Sequence, residues 1–292
     1  MMQQGDIPLI NMPAGPGTQD ESDDGLVLDY MPMPNDMSTY DIPVLPEAEQ
    51  LENCPESLAL LDRLQQTLDN YQSDSEAQCL SLSKLSSQGI ELINQILGEG
   101  EVSLICKTDK GGIAEIRAQE TVLAGVWRIK YLSAEAEQLD ETLEIADVPS
   151  LARHPNYLAA DELAVEAAQW PEGILNAPPV LIELQHKSNA YQYGDEPHVI
   201  NLSLLPFSPG DHQLLDQYLG QGALVFLSRG YGNCRISSTG IKHTWRVQYF
   251  NSTDQLILDT LEVVDIPAVA CAAPEDLADS AERLKEIREV LI

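Results

Sequence analysis

The chain has 292 residues and a formal charge of −31, from 47 acidic against 16 basic side chains. A field of that sign repels phosphate backbones and anionic lipid, which sets aside nucleic-acid and membrane-surface binding. No apolar run reaches the length of a membrane span, and the opening MMQQGDIPLINM lacks the basic and apolar regions of a secretory signal, so a cytoplasmic chain is expected.

Residues 1–54 differ from the rest. They hold eleven acids, no Lys or Arg, and all six methionines of the chain. Prolines at 8, 13, 16, 32, 34, 43 and 46 forbid a long helix. With so few apolar anchors, the segment reads as an extended acidic tail that cannot offset its own ordering entropy. Within it, DYMPMPNDMSTYDIPVLPE (29–47) places apolar and aromatic residues between prolines, a pattern suited to lying in a groove.

The remainder repeats internally. CLSLSKLSSQGIELINQILGEG (79–100) returns 122 residues later as NLSLLPFSPGDHQLLDQYLGQG (201–222). VWRIKYLSAEAEQLDETLEIADVPSL (126–151) returns 118 residues later as TWRVQYFNSTDQLILDTLEVVDIPAV (244–269). Weaker echoes pair 55–65 with 178–187 and 161–169 with 275–283. The expected organisation is the tail over 1–54, a first repeat with spacer over 55–177 and a second repeat over 178–292. The fold class is α+β: two tandem copies of a helix–antiparallel-sheet–helix unit, related by a pseudo-twofold.

Taken in order, each copy opens with helical periodicity. SQGIELINQILG starts behind a serine and ends at a glycine, and SPGDHQLLDQYLG adds a first-turn proline. After the glycines the period becomes two. In WRIKY, Trp127, Ile129 and Tyr131 share one face while Arg128 and Lys130 share the other; WRVQY repeats this with Trp245, Val247 and Tyr249. Both tryptophans are therefore core candidates. Glu144 and Glu262, at matching places on the next strand, are expected to pair across the sheet with Arg128 and Arg246. NSTD (251–254) is a turn, and PEDLADSAERLKEIREVL (274–291) is an amphipathic helix with acids first and bases later, as the helix dipole favours.

Chemistry-bearing motifs are sparse. Cys54, Cys79, Cys106, Cys234 and Cys271 form no C-x-x-C pair, and the histidines at 154, 186, 198, 212 and 243 lack metal-ligand spacing. There is no G-x-S-x-G elbow. No catalytic residues, no cofactor and no enzyme activity are therefore expected. What stands out is LSRGYGNCRISSTG (227–240). Arg229, Tyr231 and Arg235 are residue types that dominate protein–protein contacts. Gly230 and Gly232 let the backbone turn sharply, and Asn233 completes the loop. The first copy's counterpart, CKTDKGGIAEIR (106–117), keeps Lys107 and Arg117 but has no tyrosine there. A loop retained by one copy alone points to partner binding rather than architecture. A competing use is Cys234 as one ligand of a metal or iron–sulfur cluster, which needs further ligands from elsewhere.

The blocks SRGYGNCR, WRVQYFNS and TLEVVDIP, together with PMPNDMSTYDIPVLPE in the tail, resemble the HupH/HyaF family of hydrogenase expression/formation proteins. That resemblance implies a non-enzymatic, chaperone-like factor for maturation of a nickel–iron hydrogenase. Its implied partners are the iron–sulfur small-subunit precursor before export and other maturation factors, with an iron–sulfur or metal carrier role through Cys234 as the alternative.

Overall fold

The computed structural model describes residues 45–46, 50, 53–73, 75–165, 170, 173–229 and 232–291. The tail over 1–44, Gly230 and Tyr231 lie outside these described residues. The first part of the chain runs α1 (Pro55–Asn70), β1 (Gln78–Ser81), α2 (Ser87–Leu97), β2 (Val102–Lys107), β3 (Glu115–Glu120), β4 (Val126–Leu132) and β5 (Gln138–Ile145). The second runs α3 (Ala177–Ala190), β6 (His198–Asn201), α4 (Pro209–Leu219), β7 (Leu224–Ser228), β8 (Asn233–Ser238), β9 (Thr244–Phe250), β10 (Leu256–Val263) and α5 (Pro274–Leu291).

Local chemistry sets the helix ends. Ser86 caps α2 by accepting the Gly89 N–H, and Ser208 caps α4 in a reciprocal box with Asp211. Both helices end at glycines with positive φ, Gly98 and Gly220, whose N–H groups return to Asn94 and Asp216.

The strands join one ten-stranded sheet in the order β1-β5-β4-β3-β2-β7-β8-β9-β10-β6, and every neighbouring pair is antiparallel. The order reads alike from either edge when β6–β10 are matched to β1–β5. Matching bonds recur: Gly100 N–H donates to Glu120 O and Gly222 N–H to Ser238 O, and Asp147 N–H donates to the Tyr71 hydroxyl and Asp265 N–H to the Tyr191 hydroxyl. At the centre, Lys107 N–H donates to Ala223 O and Arg229 N–H to Glu101 O. The edge strands β1 and β6 are four residues each, interposed between the two opening helices, where periodicity had suggested helix following helix.

Three cores form. Residues of α1, α2 and α5 pack with Leu143 and Ile145 on one face of the sheet, with Leu45 and Cys54 joining them. On the same face, α3 and α4 pack with Leu261 and Val263. The opposite face carries Trp127, Ile129, Phe226, Cys234, Trp245 and Val247, covered by the segments around Leu151 and Ala270. Trp127 and Trp245 are 1% and 2% exposed, as core residues should be, and each ring N–H is satisfied by a backbone carbonyl, Ala146 O and Asp265 O at 2.9 Å.

The expected Arg–Glu pairs are corrected. Arg128 binds Glu141, and Arg246 binds Asp259 through Nε and Nη2 at 2.9 and 2.6 Å and Asp216 through Nη1 at 2.8 Å. Glu144 stands directly opposite Trp127, and Glu262 opposite Trp245. They therefore share the tryptophan face, and a side chain cannot cross the pleat to reach an arginine on the other side.

The closing segments also depart from expectation. Residues 161–165 are not helical, and 166–169 lie outside the described residues. Each closing segment sits on the other half. Leu163 packs with α3 and α4, and Asp161 bridges to Ile241. Conversely α5 lies on α1, with Gln65 Nε2 donating to Ala281 O at 3.0 Å and Arg288 paired to Asp62. Gly125 permits this approach: its φ is +77°, and a Cβ there would fall 2.1 Å from Leu277 Cδ2 on α5.

Candidate functional site

Because β7 pairs with β2, the 227–240 hairpin emerges from the middle of the sheet rather than from an edge. Arg229 follows the last residue of β7, half-buried, with its backbone held by Glu101. Gly232 has φ +100°, and among the described residues no atom lies within 4 Å of where a Cβ would be, so the positive φ is what the glycine serves there. Asn233 begins β8 and donates from Nδ2 to Asp254 Oδ1 at 3.2 Å, tying this turn to the β9–β10 turn. Alternation along β8 puts Cys234 and Arg235 on opposite faces. Arg229, Gly232 and Asn233 are thus brought together at one end of the sheet, while Arg235 points away from the face that holds Cys234.

Cys234 is 2% exposed, and burial pushes its thiol up to about 12, against the hydrogen bond it shares with Tyr249. A thiol so placed is protonated at neutral pH and is neither a nucleophile nor a ready ligand. Among the described residues, no group of three or more His, Cys, Asp or Glu side chains is arranged to hold a metal ion.

Beside the hairpin opens a cleft of about 390 Å³. It is lined by Ser228, Gly232 and Cys234, by the 269–272 segment and α5, and by Gly100–Val102, Glu120–Val122 and Ala124. Trp127 and Tyr249 also border it. Three carboxylates line it, Glu101, Glu120 and Asp276, with Arg283 as the cationic lining residue. Burial pushes the Glu120 carboxyl up to about 7; the Gly125 N–H that Glu120 accepts at 3.0 Å opposes this, and the neighbouring charges of Asp276 and Glu101 add to it. A larger cleft, about 620 Å³, runs along α1 and β1 beside Tyr71 and Cys79, remote from the hairpin and without such a cluster.

Nothing in the pattern of 47 acids singles out Glu101, Glu120 or Asp276. The one available signal was their divergence between copies: at offset 118, Glu120 faces Ser238.

Comparison with known proteins bears on the same residues. The description "HupH hydrogenase expression protein, C-terminal conserved region" matches the chain twice, over residues 55–167 and 174–291. This chain belongs to the HupH family. The hydrogenase expression/formation protein HupQ of Azotobacter chroococcum is 50% identical over 279 residues, 95% of each chain. The HoxQ protein of Azotobacter vinelandii is 46% identical, covering 98% of this chain and 99% of that one. The hydrogenase-1 operon protein HyaF of Escherichia coli is 34% identical, covering 94% and 93%. Both matched stretches contribute to the cleft: its 100–127 side comes from the first and its hairpin and α5 from the second. Among the described residues of this HupH-family chain, no helix is long and apolar enough to cross a membrane.

Proposed function

We propose that this HupH-family protein is a non-enzymatic accessory factor in nickel–iron hydrogenase maturation, acting in the cytoplasm. It binds the iron–sulfur small-subunit precursor at the hairpin end of the central strands. The observation that carries the reading is the cleft beside Arg229, Gly232 and Asn233, open to solvent and built from both halves, in a family whose relatives are named for hydrogenase expression and formation. Other maturation factors are further partners of the same end. The buried, protonated Cys234 supports a packing role for that residue over a cluster-carrying one.

The same reading takes the chain as a duplicated unit with a pseudo-twofold between β2 and β7, preceded by an acidic tail over 1–54, with repeats over 55–177 and 178–292. The symmetric strand order and the matched hydrogen bonds support it. The test is co-purification of the small-subunit precursor with full-length protein. The double variant Arg229→Ala, Tyr231→Ala loses the precursor while its thermal midpoint stays within about 3 °C of wild type, the shift of roughly one kcal/mol. Retention of the precursor by a folded double variant would refute the assignment.

A further inference from the structure

The two halves build the β3–β4 and β8–β9 turns alike. Thr121 Oγ1 accepts the Leu123 N–H and donates to Leu123 O, and Thr239 Oγ1 does the same with Ile241. Val122 N–H goes to Leu97 O, and Gly240 N–H goes to Leu219 O. The turns therefore superimpose residue on residue, placing Glu120 with Ser238, Ala124 with Lys242 and Gly125 with His243. Each turn also receives the closing segment of the chain's other copy, 161–165 at one and the start of α5 at the other.

Within this common frame the two sites have diverged in charge and in volume. Around the second turn, Ser238 Oγ is satisfied locally by the Leu224 N–H at 3.0 Å, and Lys242 Nζ sits 2.6 Å from Glu162 Oε1 of the closing segment. Only about 40 Å³ remains open there. Around the first turn, the serine is replaced by Glu120, the lysine by Ala124, and the closing segment presents Asp276. Glu101 stands where the second copy has Ala223. The space is about 390 Å³. Glu120 and Glu101 each add a negative charge, Ala124 removes the ammonium that the counterpart uses, and Asp276 keeps the acid that Glu162 supplies there, with Arg283 as the one cationic group among the cleft's described lining.

We propose that the cleft is a receptor for a lysine side chain of a partner polypeptide, whose ammonium takes the place that Lys242 fills in the other half. The inference rests on the duplication argued above and not on which polypeptide the family serves. Val122, Ala124 and Val269 give the lysine methylenes an apolar wall, and Glu101, Glu120 and Asp276 receive the charged end. Glu120 is half-buried and partly desolvated beside the exposed Glu101 and Asp276, so an arriving cation gains more there than at a lone, fully exposed acid. Arg283, whose Nη1 donates to Val122 O at 3.4 Å, holds the α5 side of the cleft. The occupant is a chain segment and not a free amine because the cleft is far larger than one ammonium head and is bordered by backbone at Gly100 and Gly232.

The test uses full-length protein with ¹³C-labelled glutamate carboxyls, the Glu120 resonance being assigned by Glu120→Ser. The probes are the blocked peptide Gly-Lys-Gly, its norleucine analogue, n-butylammonium and Mg²⁺. The lysine peptide is expected to shift the Glu120 resonance saturably. The norleucine peptide and Mg²⁺ should leave it unmoved, and n-butylammonium should bind at least fivefold more weakly than the peptide. Ala124→Lys, which installs the counterpart's own lysine, should abolish peptide binding and move the Glu120 titration from near 7 downward by more than one pH unit. Glu101→Ala should weaken the peptide about tenfold, and it serves if Ala124→Lys fails to fold. Equal response to norleucine or Mg²⁺, butylammonium as tight as the peptide, or peptide binding undiminished in a folded variant would overturn the proposal. Because no hydrogenase subunit enters this experiment, its failure is distinguishable from failure of the maturation reading.

Discussion

Asp211 is where one side chain holds two elements together, and its removal can be worked through from the structure. Its Oδ1 accepts the N–H groups of Leu175, Asn176 and Ala177 at 3.1, 2.9 and 2.9 Å, capping the start of α3. Its Oδ2 accepts the Ser208 N–H at 3.0 Å and the Ser208 hydroxyl at 2.7 Å, capping α4. The residue is 1% exposed. Burial alone would raise its carboxyl pKa, but the hydrogen bonds from Ala177, Ser208 and Asn176 outweigh burial and hold it well below the usual range. Asp211→Ala strands donors at about 1–3 kcal/mol each; since solvent can reach Leu175 and Asn176, about 3–5 kcal/mol in total is expected. For a body of this size that lowers the thermal midpoint by roughly 6–20 °C. Asp211→Asn keeps one carbonyl acceptor for α3 and should cost about 2 kcal/mol. The sign of the pH effect follows from a depressed native pKa. The carboxylate's contribution is complete above the unfolded value near ~3.9 and is lost as pH falls toward the native value. The gap between wild type and Asp211→Asn should therefore be full at pH 6 and shrink below about pH 4. Calorimetry or urea melts across that range decide it. An Asp211→Ala midpoint within about 1 °C of wild type, or a gap that widens in acid, would refute the reasoning. In the first half Gly89 takes this position and a half-buried Glu56 accepts the Ser86 hydroxyl instead at 2.8 Å. Glu56→Ala should then move the melt far less than Asp211→Ala.

Trp245→Ala should cost about 3–5 kcal/mol in urea melts, because it empties a fully packed site beside Phe226 and leaves Asp265 O without its partner. Arg153 binds Asp147 through both Nη atoms at 3.0 and 2.9 Å and lies 3.6 Å from Asp265, so Arg153→Ala leaves the buried Asp147 without its counter-charge and should cost about 3 kcal/mol by the same measurement. Thiol labelling of native protein at pH 8 should modify the exposed Cys79 well before Cys106 and Cys234, whose thiols burial pushes up to about 11 and about 12; the two buried thiols should react fully only in denaturant.

Much of the fold was legible because its signals are local. Serine before a helical run, glycine after it and alternation in WRIKY and WRVQY each act within a few residues, and the duplicated blocks made them visible twice. The hairpin around Arg229 was legible for the same reason. The cleft was not. Glu120 lies in a strand whose period says only which face it takes, while its raised pKa comes first from burial in the assembled fold and then from the charges of Asp276, 156 positions later in the sequence, and Glu101.

Sequence by itself determined the α+β class, the helices and strands around the duplicated blocks, the two core tryptophans and the family, but not the short edge strands or the non-helical 161–165 segment. Tertiary structure alone decided that β2 joins β7 to fuse ten strands, that Arg128 and Arg246 take Glu141 and Asp259, and that each closing segment crosses to the other half. The physical reason is range: caps and periodicity are fixed by neighbours along the chain. Register, strand partner and the charge environment of a buried acid are set by residues brought together only when the sheet closes around its cores.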